Sequence, residues 1–201
     1  MAALCAGPQA VQAQGASRTL LVVGDSLSAE YGLARGSGWV ALLEQKLAQD
    51  KLAWKVVNAS ISGDTTSGGR SRLPVLLAQH KPQVVVLELG GNDALRGLPL
   101  AMTQDNLSQM ARLAKAAGAR VLVAGIAVPP NYGRAYGEGF IALFGSVARA
   151  EGAALVPFLL AGVADVPNAD DLFQADRIHP KAEAHPRMLA NVWPALRPLL
   201  K

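Results

Sequence analysis

The sequence predicts an α/β protein: a three-layer α/β/α sandwich around a five-stranded parallel sheet, flavodoxin-like in layout. Two observations predict it. Short runs of Val and Leu recur along the chain, separated by longer stretches of helical period, which is how parallel strands and their crossover helices read. The runs at 20–24, 54–58 and 83–89 each lead into Gly and small polar residues. In such a sheet these strand ends share one edge, where ligands sit.

Taken in order, Leu20-Leu-Val-Val ends at Gly24, followed by Asp25-Ser26-Leu27-Ser28 and a stretch able to turn into a helix. Trp39, Leu42, Leu43 and Leu47 recur at helical spacing after Gly36-Ser37-Gly38. Trp54–Asn58 reads as the second strand, running into the small-residue loop 59–69 and a helix through Leu77. Gln83–Leu89 is the third strand, closed by Gly90-Gly91-Asn92-Asp93. A helix over Thr103–Ala117 stops at Gly118, and Arg120–Ile126 is the fourth strand. The loop Pro129-Pro130-Asn131-Tyr132-Gly133 comes after it. A helix over 134–150, a short strand over 154–157 and a final helix over 183–196 complete the pattern.

Composition bounds the function. A chain of 201 residues builds one full-sized domain, and at 51% hydrophobic but 5% aromatic its core rests on Leu, Val and Ala. The net charge is +4, with no Lys/Arg run and no basic patch interleaved with aromatics, so nucleic acid is excluded as a partner. Transient contact with an anionic lipid surface stays open, but no stretch is long enough for stable membrane insertion. Residues 1–13 carry no charge, and Val11-Gln12-Ala13 offers the small residues that a signal peptidase reads. The expectation is a remnant of a secretory signal peptide over 1–13, a single domain over 14–201, and a periplasmic or secreted location. Losing that segment removes Cys5, the sole cysteine, which suits an oxidising compartment. Leu4 before Cys5 argues against a lipoprotein anchor. The flanking helices suggest no large apolar patch, so a monomer is expected.

The chemistry gathers at the strand ends. Ser26 stands where a nucleophile belongs, but it needs a base, and the base an orienting group. Of three histidines, His80 closes a helix before Lys81-Pro82 and reads as a surface or capping residue. His185, in the last helix, reads as solvated. His179 lies in Asp176-Arg-Ile-His179-Pro180, where one turn can bring the Asp176 carboxylate onto the imidazole, although such a turn alone more commonly marks a satisfied structural histidine or half of a metal site. Pro180 disfavours a helix at His179 and holds that turn open; Asp171 is a minor rival to Asp176. An oxyanion needs preorganised donors: the backbone N–H groups of Ser26 and Gly63 and the side-chain amide of Asn92 are at hand. Each taken singly is also ordinary turn chemistry. All of them at one sheet edge point to a shared purpose.

These blocks (Gly24-Asp-Ser-Leu27, Ser62-Gly-Asp-Thr65, Gly91-Asn-Asp93 and Asp176-x-x-His179) resemble the SGNH (GDSL) hydrolase family, in its order and across most of the chain. The likeness is strongest to bacterial periplasmic thioesterase I/lysophospholipase L1 and arylesterase-type enzymes. It extends to Asn58-Ala-Ser-Ile-Ser, Glu88-Leu-Gly-Gly and Pro129-Pro-Asn-Tyr-Gly133. The resemblance implies a serine esterase acting on small-molecule esters and thioesters through an acyl-enzyme. Ser26 would be the nucleophile, His179 the base and acid, and Asp176 its orienting group. Ser26, Gly63 and Asn92 would form the oxyanion hole. Asp25, Val128, Pro129 and Tyr132 would border the substrate, with no metal and no cofactor. Ala127-Val-Pro-Pro130 departs from the thioesterase pattern and leaves chain length open. A carbohydrate O-deacetylase or acyltransferase on the same site is the alternative. A binding module whose Ser, His and Asp are structural is the third reading.

Overall fold

The computed structural model describes residues 18–201; the segment read as a signal remnant lies outside the described residues. Five strands form one parallel sheet: β1 (Arg18–Gly24), β2 (Trp54–Asn58), β3 (Val84–Glu88), β4 (Arg120–Ala124) and β5 (Ala154–Val156), in the order β2-β1-β3-β4-β5. This is the flavodoxin-like order, with its switch point between β1 and β3. Among the described residues six α-helices accompany it: α1 (Trp39–Gln49), α2 (Thr66–His80), α3 (Gly91–Leu95), α4 (Leu100–Ala116), α5 (Arg134–Glu151) and α6 (His185–Leu196). α1 packs on α6, while α2, α4 and α5 pack in a row. Right-handed crossovers put those two groups on opposite faces.

The central strands are buried on both sides: Leu20–Val23 and Val84–Leu87 are all inaccessible to solvent. Each such side chain contributes about 1.5–3 kcal/mol of transfer free energy, so the β1–β3 pair is a rigid base for the loops at its carboxyl edge. Their register sets Gly24 beside Glu88, and both strands end at the same level of the sheet.

Three local readings change. No helix comes directly after Ser26; residues 26–33 are turns, and the chain first becomes helical at Trp39. Glu30, Gly32 and Gly36 take positive φ, and the Glu30 carboxylate instead collects the N–H groups of Gly36 and Gly38. Gly91–Leu95, read as loop, is a short helix. The last helix starts at His185, after a 3-10 turn over Ala182–Ala184.

His185 is also not solvated. It is 2% exposed, and its Nδ1 accepts the Trp39 N–H at 3.0 Å, capping the otherwise orphaned first amide of α1. Burial lowers its pKa, which keeps the ring neutral for that acceptor role. His80 closes α2 as expected and is partly buried.

Candidate active site

Ser26 comes directly after β1, in a turn organised by its neighbours. The Asp25 carbonyl accepts the N–H groups of Ser28 and Ala29, and the Asp25 carboxylate accepts that of Leu27. Beneath the turn, the Glu88 carboxyl accepts the Ser28 hydroxyl at 2.7 Å and the Asp25 N–H at 3.4 Å. Trp39 Nε1–H donates to the same Ser28 oxygen. A Cβ at position 24 would come within 2.8 Å of both Glu88 Oε2 and Ser28 Oγ, so only glycine fits there. Burial, with the Asp25 charge nearby, pushes Glu88 well above the ordinary carboxylate range. A neutral carboxyl in a fully buried site avoids the cost of an isolated charge.

His179 arrives from the other end of the chain. Phe173 and Pro180 form an antiparallel bridge, and Gln174 N–H donates to the His179 carbonyl, closing a tight turn. Gln174 Nε2 ties that turn to the Tyr31 carbonyl at 2.9 Å. Within the turn, Asp176 Oδ1 accepts the Ile178 and His179 N–H groups, and Asp176 Oδ2 lies 2.6 Å from His179 Nδ1. His179 Nε2 lies 2.8 Å from Ser26 Oγ. The Tyr31 ring packs against the imidazole, centroids 4.3 Å apart. Partial burial raises Asp176, but the hydrogen bonds from His179 and from the two N–H groups outweigh it and hold the acid at about 2. Asp176 therefore stays charged throughout the neutral range. Asp171 is exposed, and no bond joins it to His179 among the described residues.

Two further strand ends complete the cluster. Gly63 (φ +79) and Asn92 line the same cavity as Ser26 and His179. Among the described residues, neither the Ser26 N–H nor the Gly63 N–H has an intramolecular acceptor. Asn92 Nδ2 spends one hydrogen on Asp25 Oδ2, at 3.1 Å. Arg72 braces the Gly63 loop, bonding Asp64, the Ala59 carbonyl and the Gly24 carbonyl. Asp93 fastens α3 to α2 by accepting both the N–H and the hydroxyl of Thr66. The sequence alone assigns no role to Glu88, Arg72 or Asp93, although each stands in or beside one of the motifs.

The cavity holds about 650 Å³. Ile126, Val128, Pro129, Phe158, Leu160 and Phe173 give it apolar walls. Val128 and Pro129 are among its lining residues. Tyr132 does not line it but stacks on Tyr136, the first step of an aromatic row continuing to Phe140 and Phe144. Asp25 borders the cavity but is 2% exposed, its carboxylate taken up by Leu27 and Asn92.

An α/β/α sheet with a Ser–His–Asp chain at its carboxyl edge and an apolar cavity beside it has the architecture of a serine-dependent ester hydrolase. The chain belongs to the GDSL-like lipase/acylhydrolase family, which matches residues 22–187. It is 57% identical to esterase TesA of Pseudomonas aeruginosa PAO1 over 187 residues, 93% of this chain and 92% of that protein. It is 44% identical to thioesterase 1/protease 1/lysophospholipase L1 of Escherichia coli K12, over 92% of this chain and 86% of that one. A crystal structure of TesA superimposes with a TM-score of 0.87 at 56% identity, covering 90% of this chain and 99% of the other. The protein is accordingly an ester-hydrolysing enzyme, and the reading as a binding module with a structural Ser, His and Asp falls.

Proposed function

We propose that the enzyme cleaves carboxylic esters and thioesters of small acyl substrates through a covalent acyl-enzyme on Ser26. One observation carries this: the continuous chain from Ser26 Oγ to His179 Nε2 (2.8 Å) and from His179 Nδ1 to Asp176 Oδ2 (2.6 Å). Asp176 holds the Nδ1–H tautomer, which leaves Nε2 free to accept the serine proton. Ser26 Oγ attacks the carbonyl carbon as that proton passes to Nε2. The N–H groups of Ser26 and Gly63 and the free N–H of the Asn92 amide hold the resulting oxyanion. Collapse expels the alcohol or thiol, protonated from Nε2. Water then repeats the sequence and releases the acid.

The apolar wall from Ile126 to Pro129, facing Phe158 and Leu160, suits an acyl chain better than a sugar, which favours the esterase over the deacetylase. No helix among the described residues is long and apolar enough to cross a membrane. On this reading the enzyme is a monomeric domain over 14–201, acting on diffusible esters in the periplasm or outside the cell.

The test is a chain-length series of p-nitrophenyl esters and acyl-CoA thioesters with wild type and Ser26→Ala. Turnover by wild type alone is the expected result, with the optimum length sizing the cavity. Equal turnover by both proteins overturns the assignment of Ser26.

A further inference from the structure

Asp25 has no direct part in acyl transfer to Ser26, yet its carboxylate is buried behind the oxyanion site. Both its oxygens are fixed: Oδ1 accepts the Leu27 N–H at 3.0 Å, and Oδ2 accepts one N–H of the Asn92 amide at 3.1 Å. We infer that Asp25 is the positioning residue of the oxyanion hole, its Oδ2 selecting the donor face of Asn92 for the cavity. This rests on the reading of Asn92 as an oxyanion donor.

The need for such a residue comes from amide geometry. The last torsion of an asparagine is broad and nearly two-fold, so a free amide can present either its N–H or its carbonyl oxygen. A carbonyl turned toward a developing oxyanion repels it. An ionised carboxylate accepts only, so it binds the NH₂ end and leaves the second N–H for the cavity that Asn92 lines.

The surroundings make this arrangement proton-sensitive. The Glu88 carboxyl, held neutral by burial, lies beneath Asp25, and His179 and Asp64 are the charged groups that act on it. Burial pushes Asp25 up to about 6; the Leu27 and Asn92 hydrogen bonds and His179 only partly oppose this. A proton added to Oδ2 turns the acceptor into a donor and releases Asn92. Activity on the acid side therefore falls as Asp25 takes up its proton.

The experiment compares wild type, Asp25→Asn, Asn92→Ala and the double variant on a soluble p-nitrophenyl ester, across pH. Asp25→Asn sets one NH₂ against another and turns Asn92 round. Its kcat should fall by about 10²–10³, the usual cost of one oxyanion donor, with KM and melting temperature little changed. The double variant should be no slower than Asn92→Ala alone, because both changes remove the same donor. The ratio of wild-type to Asp25→Asn kcat/KM should shrink as pH falls through about 6, because the proton on Asp25 takes from the wild type what the variant already lacks. Wild-type kcat in that variant, or losses that add in full in the double variant, would overturn the inference. A ratio of wild-type to Asn92→Ala kcat/KM that stays constant from pH 8 to pH 5 does the same, and it does not need Asp25→Asn to fold. If Asn92→Ala itself turns over normally, the oxyanion assignment fails. If Asn92→Ala is slow and Asp25→Asn is not, the inference about Asp25 alone fails.

Discussion

Asp93 ties the two arms of the active site together, and its removal can be costed. Its side chain is fully buried, with Oδ2 accepting the Thr66 N–H at 2.8 Å and Oδ1 accepting the hydroxyls of Thr66 and Thr103. Alanine strands these donors. A buried donor left unpaired costs about 1–3 kcal/mol. The Thr103 bond is long at 3.3 Å, and that hydroxyl can turn to a carbonyl of its own helix, so its share is small. The expected loss is about 3–4 kcal/mol, a large part of the ~5–15 kcal/mol that separates folded from unfolded chains. At roughly 2–4 °C per kcal/mol for a domain of this size, the melting temperature should fall by about 6–16 °C. Asp93→Asn keeps one acceptor and should lose roughly half as much. Urea unfolding with an unchanged m value is the assay. A loss of less than about 1 kcal/mol in Asp93→Ala would refute the idea that this carboxylate carries the α2–α3 junction.

Three more outcomes are expected. Asp176→Asn should fold normally but lose about 10³–10⁴ in kcat, because the amide no longer selects the Nδ1–H tautomer; steady-state kinetics beside circular dichroism checks it. Arg177 takes φ +57 with a Cβ present, so Arg177→Gly should raise stability by about 1 kcal/mol in thermal melts; a decrease would mean that the guanidinium contributes more than the strain costs. His185 is held neutral in the fold while the unfolded ring protonates near 6.5, so the unfolded state binds more protons below that pH. Stability should therefore drop as pH falls below 6.5, and His185→Gln should flatten that part of the profile; an unchanged profile would place the acid sensitivity elsewhere.

The strand ends are legible in the sequence because a doubly covered parallel strand is a bare run of Val and Leu, and the run stops where the chain must turn. Trp54–Asn58 is bounded to the residue for that reason. The Ser26, His179 and Asp176 cluster is legible because motif order implies a meeting that the sheet order then delivers. Contacts between remote positions with no local signal stay hidden. His185 looks like any polar residue on an amphipathic helix, and only the packing of α6 on α1 shows that it caps Trp39, 146 positions away. Glu88 reads as the polar end of a strand, but Ser28, 60 positions earlier, makes it the floor of the turn that carries Ser26. The missing helix after Ser26 has a similar cause, since the Glu30 carboxylate stabilises a loop that backbone propensity alone does not foresee. Asp25 reads from its motif as a substrate-facing residue, whereas in the fold its carboxylate is committed to Asn92 and Leu27.

The central claim is that Ser26 is activated by His179. A fluorophosphonate reacts rapidly only with an activated serine, so the most direct measurement is labelling of the whole protein, then peptide mass spectrometry. One adduct per chain on the peptide containing Ser26, with activity lost in proportion and no labelling of His179→Ala, is the predicted result. Adducts on another residue, or full activity after complete modification of Ser26, would contradict it.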